Sequence, residues 1–381
     1  MKKLICFIVS VFIAAECVPP LSACCEETDG HIGIVLAEAD SGTVLYESRS
    51  HERMPCGSLC KLMTLLLTAE SMDRGEISRD DILTASERAN SMQGAQIWLM
   101  PGEKMSLGDL LAAVVIGNAN DAAVVIAEAV SGSEDRFAEN MNSRAAELGM
   151  KDTRYKNASG YLADGAYTTA YDTALLMAEL SHHDDFDDLY VTRLAYLKDG
   201  EVQLVNSNPA ALKINGSAGF KAGMTGEKES LRYYAAEGAR RNGECYIAAV
   251  IGSPDEDYAS ARARELLEYG FSAFETVFPD LPDDMPRDIA VSRGRSEKLR
   301  VRVSGLRRMV ISRGSSGKIT SRTAFPDYVY APVGRNGKVG EILYFYGGKY
   351  AFSADIRTVG GTEKKTVKYV MFNMLKNIFE L

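Results

Sequence analysis

The chain has 381 residues, 46% of them hydrophobic, and a formal net charge of −9. That length and apolar content can bury a sizeable core and point to two domains rather than one. The excess of acid over base argues against a nucleic-acid partner, which calls for a basic face.

Lys2 and Lys3 precede an apolar stretch, residues 4–15, that is too short to span a bilayer. This is the pattern of an export signal, so residues 1–23 are expected to be removed after Ala23. Leu21-Ser22-Ala23-Cys24 also resembles a lipoprotein signal that lipidates Cys24, but Pro19-Pro20 sets it apart from the apolar stretch and favours ordinary export. Cys24, Cys25, Cys56, Cys60 and Cys245 then remain, too scattered for a disulfide framework. Cys56 and Cys60 are close enough in sequence to meet and are read as small buried apolar residues.

Residues 32–39 and 43–47 read as strands joined by the turn Asp40-Ser41-Gly42. Next, Ser58-Leu59-Cys60-Lys61 heads the apolar run 62–67. A spacing of three puts Ser58 and Lys61 on one helix face, one turn apart. A serine hydroxyl is a poor nucleophile at neutral pH without an adjacent base, and a desolvated lysine can be one. The run is apolar on nearly every side, as in a helix at a protein's centre. Pro55 and Gly57 suit a tight entry exposing Ser58 at the helix N-terminus, where the macrodipole favours developing negative charge. Taken alone, Ser-x-x-Lys is a weak pattern that occurs by chance in many proteins, and it reads first as a helix N-cap and a first-turn surface lysine.

Ser106-Leu107-Gly108-Asp109 has a capping-box pattern and opens a helix to residue 116, broken at Gly117-Asn118-Ala119-Asn120. Helices are expected again over 121–130 and 133–148, the second stopped by Gly149. His182-His183-Asp184-Asp185 reads as a solvated acidic loop rather than a metal site, because adjacent residues rarely converge on one ion. With four histidines, none in a recognisable context, a Ser-His-Asp hydrolase is a poor fit. Strands follow over 231–237 and 246–252 around Asn242-Gly243, then a helix over 260–269. The expected fold is α+β, with helices packed on an antiparallel sheet over residues 28–275.

Proline and aspartate crowd residues 278–284, marking a boundary. Alternating runs at 299–303, 309–312 and 342–346 suggest a small all-β domain over 285–361. Val367, Val370, Met371, Met374, Leu375, Ile378 and Phe379 recur at helical spacing among lysines, so 364–381 is read as an amphipathic helix on a membrane surface. Docking on the β domain or in an oligomer is the alternative.

The order Ser58-x-x-Lys61, Asn118-Ala119-Asn120, Lys221-Ala222-Gly223 resembles the three signatures of the penicillin-recognising serine enzymes, and best the secreted low-molecular-mass penicillin-binding proteins, the D-alanyl-D-alanine carboxypeptidases. Gly94-Ala95-Gln96-Ile97-Trp98-Leu99, the segment Glu147 to Thr153, and Asn157-Ala158-Ser159-Gly160 add to the likeness, which spans nearly the whole mature chain. The resemblance implies a β-lactamase/transpeptidase-like domain that needs no cofactor and no metal. In it Ser58 attacks the penultimate D-alanine carbonyl of a peptidoglycan stem peptide and Lys61 takes its proton. Asn120 binds substrate or holds Lys61. Lys221 answers the terminal carboxylate within the binding strand Lys221-Ala222-Gly223-Met224-Thr225, and the N–H groups of Ser58 and Met224 form the oxyanion hole. β-Lactams would acylate the same serine.

This chain departs from that pattern at two positions, with Asn118 where the family has serine and Ala222 where it has threonine. Asn118 can hydrogen-bond but cannot shuttle a proton, and Ala222 lacks a hydroxyl that binds carboxylate. Thr225 is a candidate to compensate. A weakened homologue that binds peptidoglycan, a D,D-endopeptidase and a β-lactamase stay open as alternatives.

Overall fold

The computed structural model describes residues 31–161, 163–206, 208, 214, 216–225 and 232–379, with the backbone alone for 217–225 and 376–379. The expected signal peptide lies outside the described residues. Two compact units divide after Phe274.

In the first unit five antiparallel strands form a sheet. They are β1 (Gly33–Glu38), β2 (Thr43–Ser48), β3 (Ser217–Thr225), β4 (Arg232–Arg241) and β5 (Glu244–Ser253), in the order β2-β1-β5-β4-β3. The β4–β5 hairpin turns on Asn242 and Gly243, both at positive φ (52° and 82°), the backbone that a two-residue turn requires. Period-two alternation splits the sheet's side chains between two layers. Val35, Ala37, Ile247, Ala249 and Ile251 join the core of a helical block. That block holds α1 (Cys60–Asp73), α2 (Leu107–Val115), α3 (Asn120–Ser131), α4 (Glu134–Leu148) and α5 (Ala170–Leu180). On the other face lies α6 (Glu256–Ala273), with Ala259, Ala263, Leu266 and Leu267 fully buried. This helix runs four residues further at each end than the sequence suggests. Asp255 caps its start, and Gly270 does not end it but lies against the Tyr246 ring, where an added Cβ would approach to 3.0 Å.

The α1 helix is buried around nearly its whole circumference. Its polar members are satisfied internally: Thr64 Oγ1 donates to the Ala158 carbonyl at 2.7 Å and Thr68 Oγ1 to the Thr64 carbonyl at 2.7 Å. Ser106 caps α2 by accepting from the Asp109 N–H, as its capping box indicates, and Ser133, expected as the first residue of its helix, instead caps α4 by accepting from the Arg136 N–H.

The second unit is a six-stranded sheet built from Asp288–Ser292, Lys298–Ser304, Ile319–Ala324, Tyr328–Tyr330, Lys338–Tyr346 and Lys349–Thr358. Its core gathers Ile289, Val291, Leu299, Val301, Ile311, Ile342, Tyr344, Phe352, Ala354 and Ile356. A final helix, α7 (Val367–Phe379), leaves Val367, Val370, Met371, Phe372, Met374 and Leu375 exposed, at 42–77%. No helix among the described residues is long and apolar enough to cross a membrane.

Candidate active site

Ser58 sits on a single 3-10 turn, Gly57–Leu59, that runs directly into α1. The turn needs Gly57 at φ 50°, and its carbonyl packs against Gly160, itself at φ 76°. A Cβ on Gly160 would stand 1.8 Å from the Gly57 oxygen, so only glycine allows this approach. Gly160→Ala should therefore displace the Ser58 turn. It should cost about 2 kcal/mol or more of stability, read as a lowered urea midpoint, and reduce acylation with it.

Lys61 follows one turn later and is completely buried. Its Nζ donates to Asn120 Oδ1 at 2.7 Å and to the Ser159 carbonyl at 2.8 Å. Burial pulls its pKa down to about 7, against the opposing influence of Cys60, Cys56 and Asp121. A neutral amine has two N–H bonds, and both have acceptors here. The nitrogen lone pair is then free to receive a proton.

Asn118 and Asn120 come from the break between α2 and α3. Asn118 adopts φ 59°, a left-handed conformation that asparagine tolerates, and its Nδ2 donates to Ser58 Oγ at 3.3 Å. Its Oδ1 is buried with no partner among the described residues. Asn120 begins α3, and its own Nδ2 is held by the Gln93 carbonyl at 2.6 Å while its N–H donates to the Ala95 carbonyl at 2.7 Å. So the structure joins Ser58 to Asn118 and Lys61 to Asn120 in two hydrogen-bonded pairs, with Ser58 and Lys61 one helical turn apart and the two asparagines in one break of the chain. Strand β3 runs alongside the Ser58 turn and pairs Lys221 with Ala236, Ala222 with Ala235 and Gly223 with Tyr234 through the backbone. The side chains of Lys221, Ala222, Met224 and Thr225 lie outside the described residues.

Several contributors carry no signal in the sequence. The buried Asp121 carboxylate accepts the Ile97 N–H at 3.0 Å and the Leu99 N–H at 3.1 Å, tying the segment before α2 to the start of α3. The Ser159 and Gln93 carbonyls are backbone groups that any residue could supply. Tyr234, on β4, buries its phenol fully beside Ser58; burial pushes its pKa up, and hydrogen bonding with Ser58 opposes that. The His182–Asp185 segment lies apart from these residues in its bonding, with His183 Nδ1 3.2 Å from Asp73 Oδ2.

A mixed sheet-and-helix domain with Ser58 on a turn that leads into a buried helix, and a desolvated lysine one turn on, is the arrangement expected of a serine acyl-transfer enzyme. The family model described as D-alanyl-D-alanine carboxypeptidase, peptidase S11, matches residues 29–254, and the chain belongs to that family. It is 33% identical to D-alanyl-D-alanine carboxypeptidase DacF of Bacillus subtilis over 81% of this chain and 80% of that protein. Among solved structures it resembles penicillin binding protein 5 from Haemophilus influenzae (TM-score 0.75, 24% identity, 88% of this chain and 99% of that one). It also resembles penicillin-binding protein D2 from Listeria monocytogenes in its ampicillin-bound form (TM-score 0.55, 29% identity, 63% and 96%).

Proposed function

We propose that this protein is a serine D-alanyl-D-alanine carboxypeptidase that trims peptidoglycan stem peptides outside the cytoplasm. The observation that carries the reading is the buried Lys61, its two N–H bonds drawn to Asn120 and Ser159 and its pKa brought to about 7 one helical turn from Ser58. Ser58 Oγ attacks the penultimate D-alanine carbonyl and gives its proton to Lys61 Nζ. The tetrahedral oxyanion is met by the Ser58 and Met224 N–H groups, and Lys221 answers the terminal carboxylate. The C–N bond breaks, the proton passes to the departing D-alanine amine, and water hydrolyses the ester on Ser58. A β-lactam acylates Ser58 because its ring amide stands where the scissile peptide would be. The test is release of D-alanine from a stem peptide, together with the intact mass after penicillin treatment. A penicilloyl adduct with D-alanine release supports the reading, and a folded protein showing neither overturns it.

One observation favours a second reading, a weakened homologue that holds peptidoglycan without turning it over. Asn118 places an amide, not a hydroxyl, on Ser58 Oγ. Loss of a proton-transferring group costs about 10²–10⁴-fold. Asn118→Ser combined with Ala222→Thr should therefore raise the D-alanine release rate by about tenfold or more. An unchanged or lower rate would mean the pocket has been rebuilt around the native residues.

The exposed apolar face of α7, with Lys364, Lys365 and Lys368 at its start, supports attachment to the outer face of an anionic membrane. Flotation with anionic liposomes should carry the whole chain upward and leave a chain lacking residues 364–381 at the bottom.

A further inference from the structure

Two thiols flank the nucleophile turn. Cys56 precedes Gly57 and Cys60 opens α1, so Ser58 is the middle residue of a Cys-x-x-x-Cys span. Both are buried, at 1% and 0% exposure, both are free, and the Cys60 thiol meets the Cys56 sulfur at 2.9 Å. Sulfurs serving only as small apolar filler have no reason to approach so closely. A disulfide bond is about 2.05 Å long, so closure asks the two sulfurs to approach by less than about 1 Å.

We propose that Cys56 and Cys60 form a reversible disulfide across the nucleophile turn, and that the dithiol is the fast-acylating form. The exchange balances with a small disulfide as oxidant. One protein thiolate attacks it and expels a thiol, the second attacks the mixed disulfide, and the products are the Cys56–Cys60 bond and two small thiols. Closure draws together the two ends of the segment that carries Ser58. The Gly57 carbonyl already rests on Gly160 with no room for a methyl group, so the turn cannot yield on that side. The adjustment therefore passes to Ser58 and to its alignment with Lys61 and Asn118. Misplacement by about 1 Å can cost 10²-fold in rate, and a smaller shift of the turn sets the expected slowing at about tenfold. Burial raises the Cys56 thiol pKa and slows the exchange, so the oxidant acts over hours at alkaline pH or during refolding.

The acylation half of this inference rests on Ser58 being the penicillin-labelled residue; the crosslink does not. The purified full chain is treated with oxidised glutathione, alkylated, and digested with trypsin, which releases residues 54–61 with both cysteines and Ser58 in one peptide. The expected result is a peptide two hydrogens lighter and closed to alkylation, restored by dithiothreitol. Penicilloylation of that peptide should be about tenfold slower before reduction than after. Cys60→Ala should acylate at the same rate with or without oxidant, and Cys56→Ala serves equally if the first variant folds poorly. Recovery of both thiols alkylated after refolding in oxidant overturns the proposal, as does equal acylation of the two forms. An oxidised peptide with no penicilloylation in either form would overturn the acylation claim together with the proposed function, while leaving the crosslink established by mass.

Discussion

Ser58→Ala should abolish covalent labelling by penicillin and lower D-alanine release by about 10⁴-fold or more, because the proposed acyl-enzyme forms on its hydroxyl. The substitution removes one oxygen from a partly exposed position on the Gly57–Leu59 turn and leaves the buried contacts of α1 untouched. Its effect on stability should be small, so a normal unfolding midpoint with no penicilloyl adduct is the expected pair of results. An adduct that persists in this variant would move the nucleophile elsewhere. Tyr234, whose buried phenol stands by Ser58, would then be the first side chain to examine.

Lys61→Met should slow acylation by about 10²–10⁴-fold, the usual cost of a lost general base. Unlike the serine change, it also leaves Asn120 Oδ1 and the Ser159 carbonyl without their donor, so some stability is lost as well. The more telling readout is the pH profile of the native protein. In the proposed mechanism the base is the neutral amine, and burial brings its pKa down from 10.5 to about 7. The neutral fraction, and with it the acylation rate, should rise about tenfold per pH unit below that value and level off above it. A rate that keeps rising well into the alkaline range would mean Lys61 keeps an ordinary lysine pKa and stays protonated at neutral pH.

Much of the site could be read from residues close together in the chain. Ser58 and Lys61 lie three apart, and helical geometry alone puts them on one face. The capping Ser106 and the Asn242-Gly243 turn are local too, and both act as their sequence context indicates. Distance in the chain is what hid the rest. Asp121 holds the N–H groups of Ile97 and Leu99, more than twenty positions earlier, and nothing about a helical aspartate announces that task. Lys61 is steadied by the Ser159 carbonyl, and a carbonyl has no letter in the sequence. The sequence-based bounds of α6 fall four residues short at each end, and at its C-terminal end Gly270 continues the helix against the Tyr246 ring. The two cysteines are buried and free, as their reading as small buried residues expects, and their spacing says that they can meet but not how closely.

The order of the first sheet has a consequence for what the site can accept. Strand β3 is terminal in it, and among the described residues only β4 pairs with it. One row of its N–H and C=O groups therefore faces away from the sheet, next to the turn that carries Ser58. An extended peptide laid along that edge would be gripped as an added strand, through its main chain. Recognition of this kind is tolerant of side-chain identity and demanding of backbone shape. Selectivity would then rest on the chirality and length of the last residues before the free carboxylate, and chemical variation further up the chain would pass largely unread.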